Sequence, residues 1–166
     1  SSLGMVTIVC IILLTFFFFI PMARNNNIYS LINSKNYDDA ITLINEYGEL
    51  EDSNKLLIMC QAGKAFDKQD YESGIDYIYF IGGTVDVTYD SNGGSSTISS
   101  EQIKKNKGYI NNESEKEGYD FDTWILTDYS INAKNYYASI TLKANYDILN
   151  YEILYNLNGG INNSSN

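Results

Sequence analysis

No charged side chain precedes Arg24, and this constrains the chain more than any other feature. From Met5 to Ala23 the chain is one apolar run, centred on Ile11-Ile12-Leu13-Leu14-Thr15-Phe16-Phe17-Phe18-Phe19-Ile20. An α-helix rises about 1.5 Å per residue, so the run just spans a hydrocarbon core of about 30 Å. A transmembrane signal-anchor over residues 1–24 is the leading reading. A cleaved signal peptide competes with it, although Pro21-Met22-Ala23 is a poor small-x-small cleavage site. A buried core helix fits least, because nothing downstream is apolar enough to cover the run. Cys10 does not make a lipoprotein site, since Val9 stands where a small residue is needed. Arg24 is the only basic flank, so the positive-inside rule gives no orientation.

Residues 25–83 change character, with apolar residues recurring at helical spacing. Ile28, Leu31 and Ile32 form one face; Tyr37, Ala40, Ile41 and Ile44 a second. Leu56, Leu57, Met59 and Cys60, continuing to Ala65 and Phe66, form a third; Tyr71, Ile75 and Ile78 a fourth, with Tyr79 as a further candidate. Asp52 or Ser53 is placed to cap the third helix, and Gly82-Gly83 ends the fourth. The region repeats: Tyr37, Ala40, Ile41 and Ile44 overlay Tyr71, Gly74, Ile75 and Ile78 at one constant offset. That offset is the period of tetratricopeptide helix pairs, whose second helix this Tyr-x-x-small-Ile core resembles. Two degenerate tetratricopeptide-like hairpins are expected, serving as a short stalk or as a peptide-binding groove.

At Gly82-Gly83-Thr84 the apolar period switches from about 3.6 to 2, marking a boundary. Val85-Asp86-Val87-Thr88-Tyr89 alternates as a strand, and Asp90-Ser91-Asn92-Gly93-Gly94 is a turn signal. Gly118-Tyr119-Asp120-Phe121-Asp122-Thr123-Trp124 and Ile140-Thr141-Leu142-Lys143-Ala144-Asn145-Tyr146 also read as strands. Tyr119 and Phe121 share strand parity, and Trp124 joins their face only if a bulge intervenes. Ser99-Ser100-Glu101-Gln102 can act as a capping box, predicting a short helix from Ile103 that Gly108 could stop. Asp128 to Tyr137 reads as a loop. The opening then recurs, with Tyr155, Asn158 and Gly160 overlaying Tyr89, Asn92 and Gly94 in order.

This ordered set resembles the Listeria–Bacteroides repeat, the B-repeat of internalin-type bacterial surface proteins. The resemblance covers roughly half the chain. It implies a small β-grasp-like module over residues 84–147 of an extracellular protein, followed over 148–166 by the start of a second, truncated repeat. It supplies no catalytic residues. The cut strand of that second repeat is expected to be disordered or to borrow a sheet edge. Without an initial Met and with a cut repeat, the chain is expected to be a fragment of a longer protein.

A net charge of −10 disfavours nucleic acid as a partner, because phosphate binding needs a basic face. The absence of His removes the commonest general base and metal ligand. No disulfide is expected between Cys10 and Cys60, and no cofactor or metal site. Asp120, Asp122 and the alternating Glu113, Glu115 and Glu117 read as solvated faces rather than a paired-acid site. Calcium at Asp86, Asp90, Asp120 and Asp122 is a minority idea, since the spacing fits no ligand loop. Among the 15 tyrosines, Tyr136 and Tyr137 are the best candidates for an exposed glycan-binding pair.

The expected architecture is α+β: a transmembrane helix over 1–24, a helical tetratricopeptide-like region over 25–83, and the β-grasp-like repeats. The expected function is a non-catalytic stalk, display or adhesion module of a membrane-anchored bacterial surface protein, with most of the chain outside the cell. The partners would be the membrane, through the N-terminal helix, and a protein or glycan ligand. The alternatives are a partner-docking module using the helices and a glycan-binding surface.

Overall fold

Residues 2–48, 52–104 and 112–151 are described by the structure, a computed structural model. It is a mixed helix-and-sheet fold that begins with one long apolar helix. Helix α1 (Ser2–Leu14), a π segment (Thr15–Phe19) and α2 (Ile20–Asn33) join into a single rod. Pro21 has no N–H, and its ring crowds the carbonyl four residues back. The turn before it widens accordingly. The Ile20 N–H reaches the Thr15 carbonyl five residues back, and Thr15 Oγ1 donates to the Ile11 carbonyl at 2.8 Å. The rod is long and apolar enough to cross a membrane, and its apolar window is not covered by protein. Its two ends differ sharply: Phe17 is 70% exposed, whereas Ile28 and Ile32 are 0% exposed.

The face expected at Ile28, Leu31 and Ile32 is therefore the last part of the same helix that carries the apolar run. Three more helices follow, α3 (Tyr37–Tyr47), α4 (Ser53–Asp67) and α5 (Tyr71–Phe80). The helical repeat is visible in the backbone. Lys35 and Gln69, at matching positions of the two hairpins, both take positive φ, 65° and 66°. The Asn36 N–H donates to the Leu31 carbonyl at 2.9 Å, and the Asp70 N–H donates to the Ala65 carbonyl at 3.0 Å. Asp70 caps α5 by accepting the Ser73 N–H at 3.0 Å. Gly74 allows close packing: a Cβ there would stand 2.2 Å from the Phe66 ring. Asp52 is the N-cap residue of α4, but its side chain makes no cap bond.

Strands β1 (Thr84–Asp90), β3 (Ser100–Lys104), β5 (Tyr119–Asn132) and β6 (Tyr137–Ile148) form a sheet in the order β3-β1-β6-β5. The central β1–β6 pair is parallel, and both outer pairs are antiparallel. The short strands β2 (Ser95–Ser96) and β4 (Ser114–Glu115) pair separately. The helix predicted from the Ser99–Gln102 capping box is instead strand β3, paired from Thr84↔Lys104 to Thr88↔Ser100. The β1 edge supplies the ladder, and Glu101 and Ile103 turn inward with a period of two. Gly108 lies outside the described residues. The loop expected over Asp128 to Tyr137 is likewise replaced: β5 runs on to Asn132, and a 3-10 turn (Ala133–Asn135) leads straight into β6.

Two bulges explain β5. Its register against β6 shifts between Phe121 and Thr123 and again between Leu126 and Asp128. Each extra residue reverses parity. Phe121 and Trp124 therefore share a face, as do Leu126 and Tyr129. All meet the same row of β6, Ala138, Ile140, Leu142, Ala144 and Tyr146, on one side of the sheet.

That side packs on the helices, and one continuous apolar core runs from Ile28 and Phe66 to Ile140 and Ala144. The Asn33 side-chain oxygen accepts the Ala133 N–H at 2.8 Å, tying the end of the rod to the turn before β6. The α5–β1 join is tight: the Thr84 N–H donates to the Tyr136 carbonyl at 3.0 Å, and a Cβ on Gly83 would stand 2.2 Å from that oxygen. The second repeat's strand, expected near residues 151–160, lies outside the described residues from 152 onward.

Candidate functional site

The motif residues converge on one aromatic row. The rings of Tyr89 and Trp124 are 4.8 Å apart, Phe121 and Trp124 5.4 Å, and Phe121 and Tyr146 6.2 Å. Tyr119 closes the row 6.2 Å from Tyr146. The Asn-Gly-Gly turn fits against it. Gly93 takes φ +82°, and a Cβ on Gly94 would stand 2.3 Å from the Tyr146 hydroxyl. That hydroxyl donates to the Ser91 carbonyl at 2.6 Å. Trp124 Nε1 donates to the Asn112 carbonyl at 2.6 Å, which fixes the indole edge.

At the Trp124 end of this row, a cavity of about 390 Å³ opens between α5 and the sheet. Its floor is apolar, from Ile75, Val87, Ile103 and Leu142. Its walls are Tyr71, Tyr89, Trp124 and Asn112, and its rim carries Glu72 and Asp76. Helical spacing accounts for the α5 side. Tyr71 and Ile75 stack at i, i+4 toward the sheet, and Glu72 and Asp76 stack one position on, exposed to solvent. No lysine or arginine lines the cavity among the described residues.

A buried carboxylate stands behind the wall. Glu101 is the strand partner of Val87, and its Oε1 accepts the Tyr89 hydroxyl at 2.5 Å. Its Oε2 is buried and has no hydrogen-bond partner among the described residues. Burial pushes the Tyr89 phenol well above its ordinary value, and the hydrogen bond to Glu101 pushes it further. Burial raises the Tyr71 phenol as well, aided by the Glu72 charge. Both phenols thus stay protonated at neutral pH. The arrangement suits binding: an apolar base, aromatic walls and carboxylates on one side.

The residues singled out in the sequence lie elsewhere. Tyr136 and Tyr137 are consecutive and fall on opposite sides of the chain. Tyr136 takes φ 50° and packs against the core with the Lys55 ammonium 5.0 Å from its ring. Tyr137 lies on the open face and donates to Asp86 at 2.9 Å. They do not form one platform. Glu113, Glu115, Glu117, Asp120 and Asp122 ring an open surface depression with Lys116 among them. Asp86 accepts Gln102 and Tyr137, and Asp122 accepts Asn145, so these aspartates serve separate local bonds. No group of three or more His, Cys, Asp or Glu among the described residues could hold a metal ion. Cys10 is exposed on the rod, Cys60 is buried in α4, and both are free.

The cavity escapes sequence reasoning because its walls come from four separate segments. The inward parity of Glu101 is its one available signal, and the capping-box pattern hides it. Compared with known proteins, the chain matches no family description, no curated protein and no solved structure.

Proposed function

We propose that this chain is a membrane-anchored bacterial cell-surface module with most of its length outside the cell. It serves as a non-catalytic stalk, display or adhesion unit. The reading rests on the rod, which offers an uncovered apolar length at one end and buries Ile28 and Ile32 in the core at the other. A bilayer provides the cover that the protein does not. The rod carries its load directly, with no linker between the apolar run and the folded body.

Three features support the finer assignment. A central parallel pair flanked by antiparallel strands is the sheet order of a β-grasp-like module. Hairpin turns that recur at the tetratricopeptide interval suit tetratricopeptide-like pairs. The residues that carry the resemblance to the Listeria–Bacteroides repeat, Tyr89, Tyr119, Phe121, Trp124 and Tyr146, form a single cluster.

The test is protease accessibility on intact cells expressing the chain with a C-terminal epitope tag. Loss of the tag, with an N-terminal fragment left in the membrane fraction, is the expected result. Protection until lysis would place the folded body in the cytoplasm and overturn the surface reading. Recovery of the intact chain in the soluble fraction would overturn the anchor.

A second reading, partner docking through the helices, draws on one observation. Ile58, Tyr77 and Phe80 form an open apolar patch on the outer side of α4 and α5, with Phe80 79% exposed. It requires that Phe80→Ser abolish capture of a partner while leaving membrane insertion intact.

A further inference from the structure

We infer that the apolar patch formed by Ile58, Tyr77 and Phe80 is a second membrane contact, which rests on the interfacial zone of the bilayer that holds the rod. The patch lies between the outward sides of α4 and α5, where Gln61, Ser73 and Asp76 line it too. Phe80 is 79% exposed, more than Phe17 on the uncovered rod at 70%. Tyr77 stands one turn before it on the same side of α5 and is also exposed. An apolar patch of this kind marks a contact surface. The inference rests on the anchored reading of the rod, but not on which side of the membrane the body stands.

A chain of contacts leads from the rod's exit to Phe80. The Arg24 guanidinium, the first charge after the apolar run, lies 4.9 Å from the Tyr47 ring centre at the end of α3. Ser53 Oγ, at the start of α4, donates to the Gly48 carbonyl at 3.4 Å. Lys55, in the first turn of α4, lies 5.0 Å from the Tyr136 ring centre. The Tyr136 carbonyl accepts the Thr84 N–H at 3.0 Å, just past the end of α5. The ends of α3 and α5 and the start of α4 therefore lie at the membrane end of the body, and the turns at Lys35 and Gln69 lie at the other. Along α5 the exposed acids Glu72 and Asp76 come first, and Phe80 is the last helical residue. Aromatic rings favour headgroup depth. A tilt of about 20°, ordinary for a membrane helix, lowers one side of a body fixed to its rod. None of the six lining residues is basic and the chain carries a charge of −10, so the contact is apolar and needs no anionic lipid. A protein partner can use such a patch anywhere on the body, whereas a bilayer can use it only at this end, where it stands.

The full chain is reconstituted in phosphatidylcholine vesicles with an environment-sensitive fluorophore on one cysteine at a time. Cys60 is buried and stays unlabelled. In the parent the label sits on Cys10 of the rod, and Phe80→Cys and Ile148→Cys carry it in a Cys10→Ala background. Ile148 is 71% exposed and ends β6, which starts beside Tyr136 and passes the start of α5 at Leu142. Nitroxide-bearing lipids in both leaflets should quench the labels at Cys10 and Phe80 about twofold or more, and leave the label at Ile148 unquenched. Tyr77→Cys offers a second position in the patch if Phe80→Cys fails to fold. Quenching at Cys10, with Phe80 no more quenched than Ile148, would overturn the second contact alone and leave the patch to a protein partner. A label at Cys10 that the lipid does not quench would overturn the anchor, and the second contact with it.

Discussion

The phenol oxygens of Tyr37 and Tyr129 lie 3.0 Å apart, joining α3 to β5 across 92 residues of sequence. Tyr129 donates to the Asp67 carboxylate at the end of α4, so its oxygen receives the Tyr37 proton. The Lys35 ammonium lies 3.7 Å from the Tyr129 ring centre, and Phe66 packs against that ring at 5.1 Å. One side chain of the sheet thus clasps the ends of both helical hairpins. Tyr129→Phe should cost about 1–3 kcal/mol, because Tyr37 is left with a buried, unpaired hydroxyl. Tyr37→Phe should cost less, and the double variant less than the sum. Denaturant unfolding followed by Trp124 emission measures all three.

The same clasp gives a pH dependence. Burial pushes the Tyr37 phenol from 10.0 up to about 12, with the Asp67 charge adding to the shift. Burial also pushes the Cys60 thiol from 9.0 up to about 12. In each case the fold favours the protonated form. The stabilisation is complete below the unfolded-state value and is lost as pH rises toward the folded one. Thermal stability should therefore fall from about pH 9 through pH 12. Tyr37→Phe should make the fall shallower. A midpoint unchanged across that window would contradict the burial of both groups.

Gly74→Ala separates packing from propensity. In an open helix the change should stabilise by about 1 kcal/mol, because alanine is the better helix former. Here the added Cβ meets the Phe66 ring at 2.2 Å. The expected outcome is a net loss of about 1–3 kcal/mol. A stabilised variant would show that α4 and α5 pack less closely.

The rod should show two kinds of sensitivity. Ile32→Ala removes a fully buried side chain and should destabilise the folded body by about 2–4 kcal/mol. Phe17→Ala, on the uncovered part, should leave that stability unchanged and weaken partition into vesicles instead. Measuring chemical unfolding and vesicle partition on both variants distinguishes them. Equal effects on unfolding would mean that the apolar run also packs on protein.

Much of this arrangement is legible in the sequence because it depends on local pattern. The helical faces around Ala40, Met59 and Ile75, the switch of period at Gly82-Gly83, and the strands around Val87 and Leu142 follow from spacing alone. Three features do not, each for a physical reason. Ser99-Ser100-Glu101-Gln102 has the side chains of a helix start, but the open β1 edge recruits it as a strand. Asp128 to Tyr137 is hard to join to the preceding strand because the bulge after Leu126 sets Tyr129 and Ile131 out of step with Trp124 and Leu126. The bulge at Asp122, on which the shared face of Trp124 and Phe121 depends, is present but no turn residue marks it. The cavity walls meet only through tertiary packing, so no single window contains them.

A shaft without a loop transmits torque, even through the widened π turn at Thr15–Phe19. The helix Gly4–Asn33 is 30 residues long, and at about 1.5 Å per residue it reaches roughly 45 Å. Its last turns are gripped by the core, and Asn33 is pinned to Ala133. Tilting the shaft therefore tilts the body by the same angle, and rotating it turns the body with it. A head on a slack tether takes any tilt, whereas with the shaft seated in a bilayer this one would take the tilt of the shaft. Copies seated to the same depth would hold their bodies at one height, a level layer rather than a brush.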